Sequence, residues 1–213
     1  MSRPIAALPK GHQTMLLVHR AMVRDLDRLQ RTAEQLAHTP DESRTAALRT
    51  YAGRLLEVIE HHHEGEDEYL WPRLRERGAD EEALSMMTAE HEELAESLHA
   101  TMRACERLAS GGETAAELAV RTAKLNALLK QHAEDEENEL LGRLAPALDE
   151  RAWKELERGM LKTAPSWTLG FMPPWLASVA GPEEKGGVPV PPVARLFRGR
   201  LRRQQRRAFG EHA

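Results

Sequence analysis

Residues 55–74 of the chain can be laid on residues 125–144, and the agreement extends to polar positions. Leu55 meets Leu125, Val58 meets Leu128, Ile59 meets Leu129, His62 meets His132, Glu66 meets Glu136, Leu70 meets Leu140, Arg73 meets Arg143 and Leu74 meets Leu144. An earlier pair of segments repeats at almost the same offset, with Met15 on Met87, His19 on His91, Met22 on Leu94 and Leu26 on Leu98. A repeat of this kind means that one supersecondary unit occurs twice and that each copy needs the other to bury its apolar face. Each copy offers one histidine and then a His-x-x-x-Glu pair. A pseudo-twofold axis between the copies would gather four histidines and two glutamates in one core.

From residue 11 to about 163 the sequence is rich in Ala, Leu, Glu and Arg, and its apolar positions recur at intervals of three and four. That pattern predicts amphipathic helices. The first spans Gly11–His38, with Met15, Val18, Met22, Leu26 and Leu29 on one stripe. Thr39-Pro40-Asp41-Glu42 reads as a capping box with Thr39 as N-cap and opens a second helix that runs to about Arg77, where Gly78 ends it. Pro72 lies inside this helix and should kink or interrupt it. A third helix starts at Asp80 and stops at Gly111-Gly112, and a fourth, opened by a capping box at Thr114, extends to about Leu144. A shorter helix, Leu148–Leu161, follows Pro146.

Seven of the twelve prolines then fall between residues 165 and 192, which reads as an extended strap whose Trp167, Phe171 and Trp175 lay its first half on the helices. The expected fold is all-α: an antiparallel up-down four-helix bundle of two repeated helical hairpins, a short fifth helix and an extended Pro-rich basic C-terminal tail. The expected divisions are 11–145 for the bundle, 146–180 for the fifth helix and strap, and 181–213 for the tail.

Ten histidines and 27 glutamates in 213 residues would give about 1.3 His-x-x-x-Glu pairs by chance, so one such pair carries little weight. His38 and Glu42 form one, separated by Pro40 into different elements. Two pairs at equivalent places in repeated helices, each flanked by acids and each with a histidine on the partner helix, are a different matter. A solvated acidic face explains each pair alone but leaves the repeat unexplained. Residues four apart share a helix face, and burying ionised glutamate and imidazole without counter-charge costs several kcal/mol per group. Divalent or trivalent cations remove that cost. Imidazole and carboxylate without thiolate suit iron or manganese and tolerate zinc, and we take iron as the expected metal.

His19, then His62-His63-Glu64-Gly65-Glu66-Asp67-Glu68-Tyr69-Leu70-Trp71-Pro72, then His91, then His132-Ala133-Glu134-Asp135-Glu136-Glu137 resembles the hemerythrin family, in its bacterial form with the HHE cation-binding motif. The resemblance covers about residues 11–145. It implies a bundle around two non-haem iron ions, oxo- or hydroxo-bridged when oxidised, that bind, sense or react with dioxygen, peroxide or nitric oxide. The metal ligands it implies are His19, His62, Glu66, His91, His132 and Glu136, with the glutamates bridging or chelating. Two departures stand out. Oxygen-carrying members have a second histidine four residues after the one on the third helix, where this chain has Ala95, which puts reversible oxygen carriage in doubt. They also use an aspartate five residues after the fourth-helix histidine, where this chain offers Glu136 at four and Glu137 at five; the internal repeat favours Glu136.

No general acid, lid or substrate pocket is legible, so a metal-binding or sensing protein is expected ahead of an enzyme that consumes peroxide or nitric oxide, or an iron storage or delivery module. His61 and His63 diverge by about 100° to either side of His62 and are expected at the surface, as are His38, His99 and His212, while His12 shares the stripe of His19. Met15, Met22, Met86 and Met87 are read as core. The lone Cys105 excludes a disulfide framework and fits a cytoplasmic setting. No run of residues is long and apolar enough for a signal sequence or a membrane span. The net charge of −4 divides into −9 for residues 1–180 and +5 for residues 181–213. The basic tail suits an anionic surface or a protein partner; DNA is not expected, and the sequence leaves oligomeric state open.

Overall fold

The computed structural model describes residues 8–139 and 148–210, and every element among them is helical. Leu140, Arg143 and Leu144 of the repeat, together with Pro146 and His212, lie outside the described residues. The elements in chain order are α1 (Lys10–His38), α2 (Glu42–Gly65), a π-helical turn (Glu66–Leu70), α3 (Trp71–Glu76), α4 (Glu81–Glu106), α5 (Gly112–Glu139), α6 (Glu150–Thr163), α7 (Thr168–Ala177), a 3₁₀ turn (Lys185–Gly187) and α8 (Pro191–Phe209). None of the described helices is long and apolar enough to cross a membrane.

The helix ends follow the local chemistry with three shifts: α4 stops at Glu106, ahead of Gly111-Gly112, α5 begins at Gly112 with Thr114 inside it, and the cap of α2 moves. Asp41 rather than Thr39 caps α2: its carboxylate accepts from the Arg44 backbone N–H at 3.0 Å and from the Ser43 hydroxyl at 3.0 Å. A carboxylate at the end of a helix also meets the positive pole of the helix dipole, which a threonine hydroxyl does not. Asp80 and Asp149 cap α4 and α6 in the same way, accepting from Ala83 N at 3.1 Å and Ala152 N at 2.7 Å. Gly78, at a φ of 75°, ends α3 in the left-handed conformation that glycine tolerates. Pro72 does interrupt the second predicted helix. The break begins earlier, at the π turn, and Pro72 sits in the first turn of α3, where its missing N–H costs nothing.

The expected extended strap and tail are corrected. α7 forms in the Pro-rich segment with Pro173 and Pro174 inside it, and α8 forms in the basic tail. The two prolines withhold donors from the backbone, but Phe171, Trp175 and Leu176 are buried alongside them, and Trp167–Phe171–Trp175 run ring to ring at 5.6 and 5.5 Å. Burial of this much aromatic surface overrides an unfavourable local propensity. Met86 is likewise corrected: it is exposed, whereas Met15, Met22 and Met87 are core.

The chain divides into two compact units. One comprises Met1–Ala21, His61–Met86 and Asp135–Leu201, the other Met22–Glu60, Met87–Glu134 and Arg202–Ala213. The first is built on Leu17, Leu70, Trp71, Leu74, Leu84, Trp153, Phe171 and Trp175. The second is built on Leu26, Leu29, Leu48, Leu55, Leu56, Ile59, Leu118, Leu125 and Leu129. It also holds a buried carboxylate, Asp25, which accepts from Tyr51 Oη at 2.5 Å, Arg24 Nε at 2.8 Å and Arg28 at 3.0 Å. Burial alone would raise the Asp25 carboxyl, but the Arg24 guanidinium, the Tyr51 hydroxyl and Arg28 together hold it below the ordinary carboxylate range. The end of α8 docks on this network. Gln205 donates to Tyr51 Oη at 3.1 Å, Arg28 lies 4.2 Å from the Phe209 ring centroid, and Arg44 donates to the Phe209 carbonyl at 2.7 Å.

In the first unit α1 and α6 meet at a glycine. A Cβ on Gly11 would lie 2.7 Å from Trp153 Cε3, in a place where the indole is itself buried. Alanine in a helix ordinarily gains about 0.5–1 kcal/mol over glycine. Here the overlap reverses the sign, and Gly11→Ala should destabilise the protein by about 1–3 kcal/mol, as measured by chemical denaturation. A neutral or stabilising result would mean that α6 does not pack where described.

Candidate metal centre

In the first unit three segments converge. α1 supplies His19, the junction of α2 and the π turn supplies His62 and Glu66, and the end of α5 supplies Glu136 and Glu137. His19, His62, Glu66 and Glu136 are buried. His19 Nε2 lies 3.1 Å from His62 Nε2 and 3.1 Å from Glu136 Oε2, and His62 Nε2 lies 3.1 Å from Glu66 Oε1. Ligand-capable atoms of His19, His62 and Glu66 all fall within 4.8 Å of one another. Two imidazole nitrogens facing each other, with carboxylate oxygens as their other neighbours, leave more lone pairs than protons to share. A cation satisfies all of them at once, so this donor set fits a metal.

The remaining nitrogen of His19 has a separate partner. Its Nδ1–H donates to Glu137 Oε1 at 3.1 Å, which turns the Nε2 lone pair toward the other ligand atoms. In the second unit the same device recurs with different residues. His91 on α4 and His132 on α5 are buried with their Nε2 atoms 3.2 Å apart, and His132 Nδ1–H donates to Glu90 Oε2 at 2.8 Å. A carboxylate on the outer nitrogen fixes the tautomer and raises the basicity of the inner one, the usual arrangement of histidines that bind metals. Neither Glu90 nor this use of Glu137 is legible in the repeat, because the repeat marks the inward positions and these carboxylates stand beside them.

One histidine differs from expectation. His63 is buried, not exposed, with its ring 5.1 Å from that of His62. The signal was available: Ala52, Leu56, Ile59, His63, Glu66 and Leu70 are spaced alternately by four and three, and all six are buried. His62 follows the neighbouring stripe of Leu55 and Val58, and the π turn lets both stripes end at Glu66. A π turn adds a residue to one helical turn and is frequent at functional sites. His12 is also buried, stacked 5.6 Å over Trp153, and burial lowers its imidazole below the ordinary range. His61 bonds to Thr163 Oγ1 at 3.0 Å, His99 pairs with Glu60 at 3.0 Å, and His38 is exposed. Cys105 is buried and its thiol is pushed up to about 11 by that burial, which makes it a filler and not a redox group.

The protons at the centre are held tightly. Burial acts against a charge on His19, but Glu136 beside it, backed by Glu137, pushes the imidazole up to about 10. Burial and the neighbouring Glu136 raise the Glu66 carboxyl well above its usual range. Both shifts make the native state bind more protons than the unfolded chain. For His19 the stabilisation is complete below pH 6.5 and is lost as the pH rises toward about 10. Protein stripped of metal by a chelator should therefore lose at least ~1 kcal/mol across that window, seen as a falling denaturation midpoint, and metal-loaded protein should lose less. A flat or rising midpoint in the stripped protein would contradict these proton assignments.

The family model for the hemerythrin HHE cation-binding domain matches residues 10–144. No curated protein and no solved structure matches the chain.

Proposed function

Because the chain belongs to the hemerythrin HHE cation-binding family, we propose that it carries a dinuclear non-haem iron centre that binds, senses or reacts with dioxygen, peroxide or nitric oxide. The supporting fold is an antiparallel four-helix bundle of α1, α2, α4 and α5, with α6, α7 and α8 added to it. The observation that carries this reading is the convergence of buried imidazole Nε2 atoms with buried carboxylates, at the positions that the repeat relates.

His19, His62, Glu66 and Glu136 hold one metal. His91 and His132, whose Nε2 atoms lie 3.2 Å apart, hold the other. Glu136, fully buried and 3.1 Å from His19 Nε2, is the ligand of the adjacent pair. Glu137, partly exposed on His19 Nδ1, orients that ring. When bound, the iron pair supplies electrons to a small oxidant. The chain's own part is to hold the imidazoles in one tautomer through Glu90 and Glu137, and to give up the His19 and Glu66 protons as metal enters.

Purified protein should hold two irons per chain and show an oxo-to-iron absorption in the near ultraviolet after exposure to air, with both lost in His62→Ala. Glu90→Ala, which removes the acceptor from His132 Nδ1, should leave one metal tightly held and weaken the second by about 10–100-fold, measured by titration of the stripped protein. A chain that folds without metal, with stability unchanged by metal or by His62→Ala, would overturn the reading. Peroxide decay no faster than with free iron at equal concentration would place the protein among binders and sensors; faster steady-state decay would make it an enzyme.

A further inference from the structure

The metal centre makes no use of α8. This helix carries seven arginines between residues 195 and 207 and no acidic residue. All seven are exposed, and none forms an ion pair with a described residue. The helix is held to the protein by other side chains: Ala194, Leu201, Gln205 and Ala208 form one buried stripe, as spacings of seven, four and three require on a helix. The arginines therefore dock α8 through no ion pair with a described residue, and their mutual repulsion works against the helix.

The opposite stripe is Leu196, Arg200, Arg203 and Arg207, again spaced by four, three and four. Leu196 is 76% exposed at the head of that stripe. Nearby, α7 presents Leu169 at 60% exposure. Gly170 packs on Phe197, since a Cβ there would lie 3.6 Å from the Phe197 ring. The residues preceding each of these, Leu169 and Leu196, are thus brought to adjoining turns of α7 and α8. Val190, at the entry to α8, is 51% exposed as well.

A helix face of guanidiniums headed by an exposed leucine, with a second exposed leucine on α7, fits an occupant that offers phosphate over an apolar interior. Nucleic acid would use the arginines and leave the leucines in water. Nor does the outer stripe hold an amide or hydroxyl to read base edges: Gln204 is half-buried and Gln205 is engaged with Tyr51. An acidic face of a second copy would likewise give the leucines nothing. We propose that α8, with Leu169 of α7, docks the protein flat on a membrane surface rich in anionic phospholipid. The arginines meet headgroup phosphates and the leucines enter the interface.

The test is co-sedimentation of the full metal-loaded chain with vesicles of phosphatidylcholine, with and without phosphatidylglycerol. Binding should require phosphatidylglycerol and fall steeply with salt. Arg200→Glu, Arg203→Glu and Arg207→Glu together should weaken it by at least about a hundredfold, and Leu196→Ser by about tenfold. Helicity and metal content should stay unchanged, because among the described residues none of these side chains has a hydrogen-bond or ion-pair partner. No binding to phosphatidylglycerol vesicles, equal binding to both vesicle types, or indifference to Leu196→Ser would overturn the proposal. So would displacement from the vesicles by a DNA duplex at equal phosphate concentration, which would make nucleic acid the partner.

Discussion

Desolvation of carboxylate is the constraint around which this protein is organised, and the molecule answers it in two opposite ways. Asp25 and Glu66 are both fully buried. Asp25 is surrounded by two guanidiniums and a tyrosine hydroxyl, and its carboxyl lies below the ordinary range. Glu66 has another glutamate among its strongest influences, and its carboxyl lies well above that range. The first carboxylate is neutralised by cations built into the chain. The second is set among imidazoles and another acid, where only protons or a metal can balance it. A group neutralised by permanent charge is structural; one left to exchangeable cations is a binding site.

Much of the site was legible because metal ligation needs residues of fixed type at fixed helical spacing, and because duplication wrote that spacing twice. His19, His62, Glu66, His91, His132 and Glu136 are all buried. Three features escaped for physical reasons. A regular turn of 100° per residue points His63 outward, whereas the π turn following it merges two stripes at Glu66. Glu90 and Glu137 are neighbours of ligand positions and act through the far nitrogen of a ring, so no inward spacing marks them. α7 was hidden by its prolines, since the aromatic burial that supports it is tertiary and leaves no local trace. The shift of the α2 cap from Thr39 to Asp41 is of another kind: both residues were present, and the better acceptor took the place.

The C-terminal region extends the same reasoning to the surface. Gln205 and Phe209 reach the Asp25 network, so the end of α8 is secured by buried polar and aromatic contacts. Its arginines are left free of that task, and the division of the chain into an acidic body and a basic tail becomes a division of roles. Carboxylates of the body are buried beside imidazoles; guanidiniums of α8 face outward.

The central claim, that the buried imidazoles and carboxylates exist to hold two metal ions, is tested most directly by anomalous diffraction at the iron absorption edge from crystals of iron-loaded protein. The account predicts two peaks: one in contact with His19 Nε2, His62 Nε2 and Glu66, and the other in contact with the Nε2 atoms of His91 and His132. A map with no peak among these residues, or with iron bound only at the acidic surface, would contradict it.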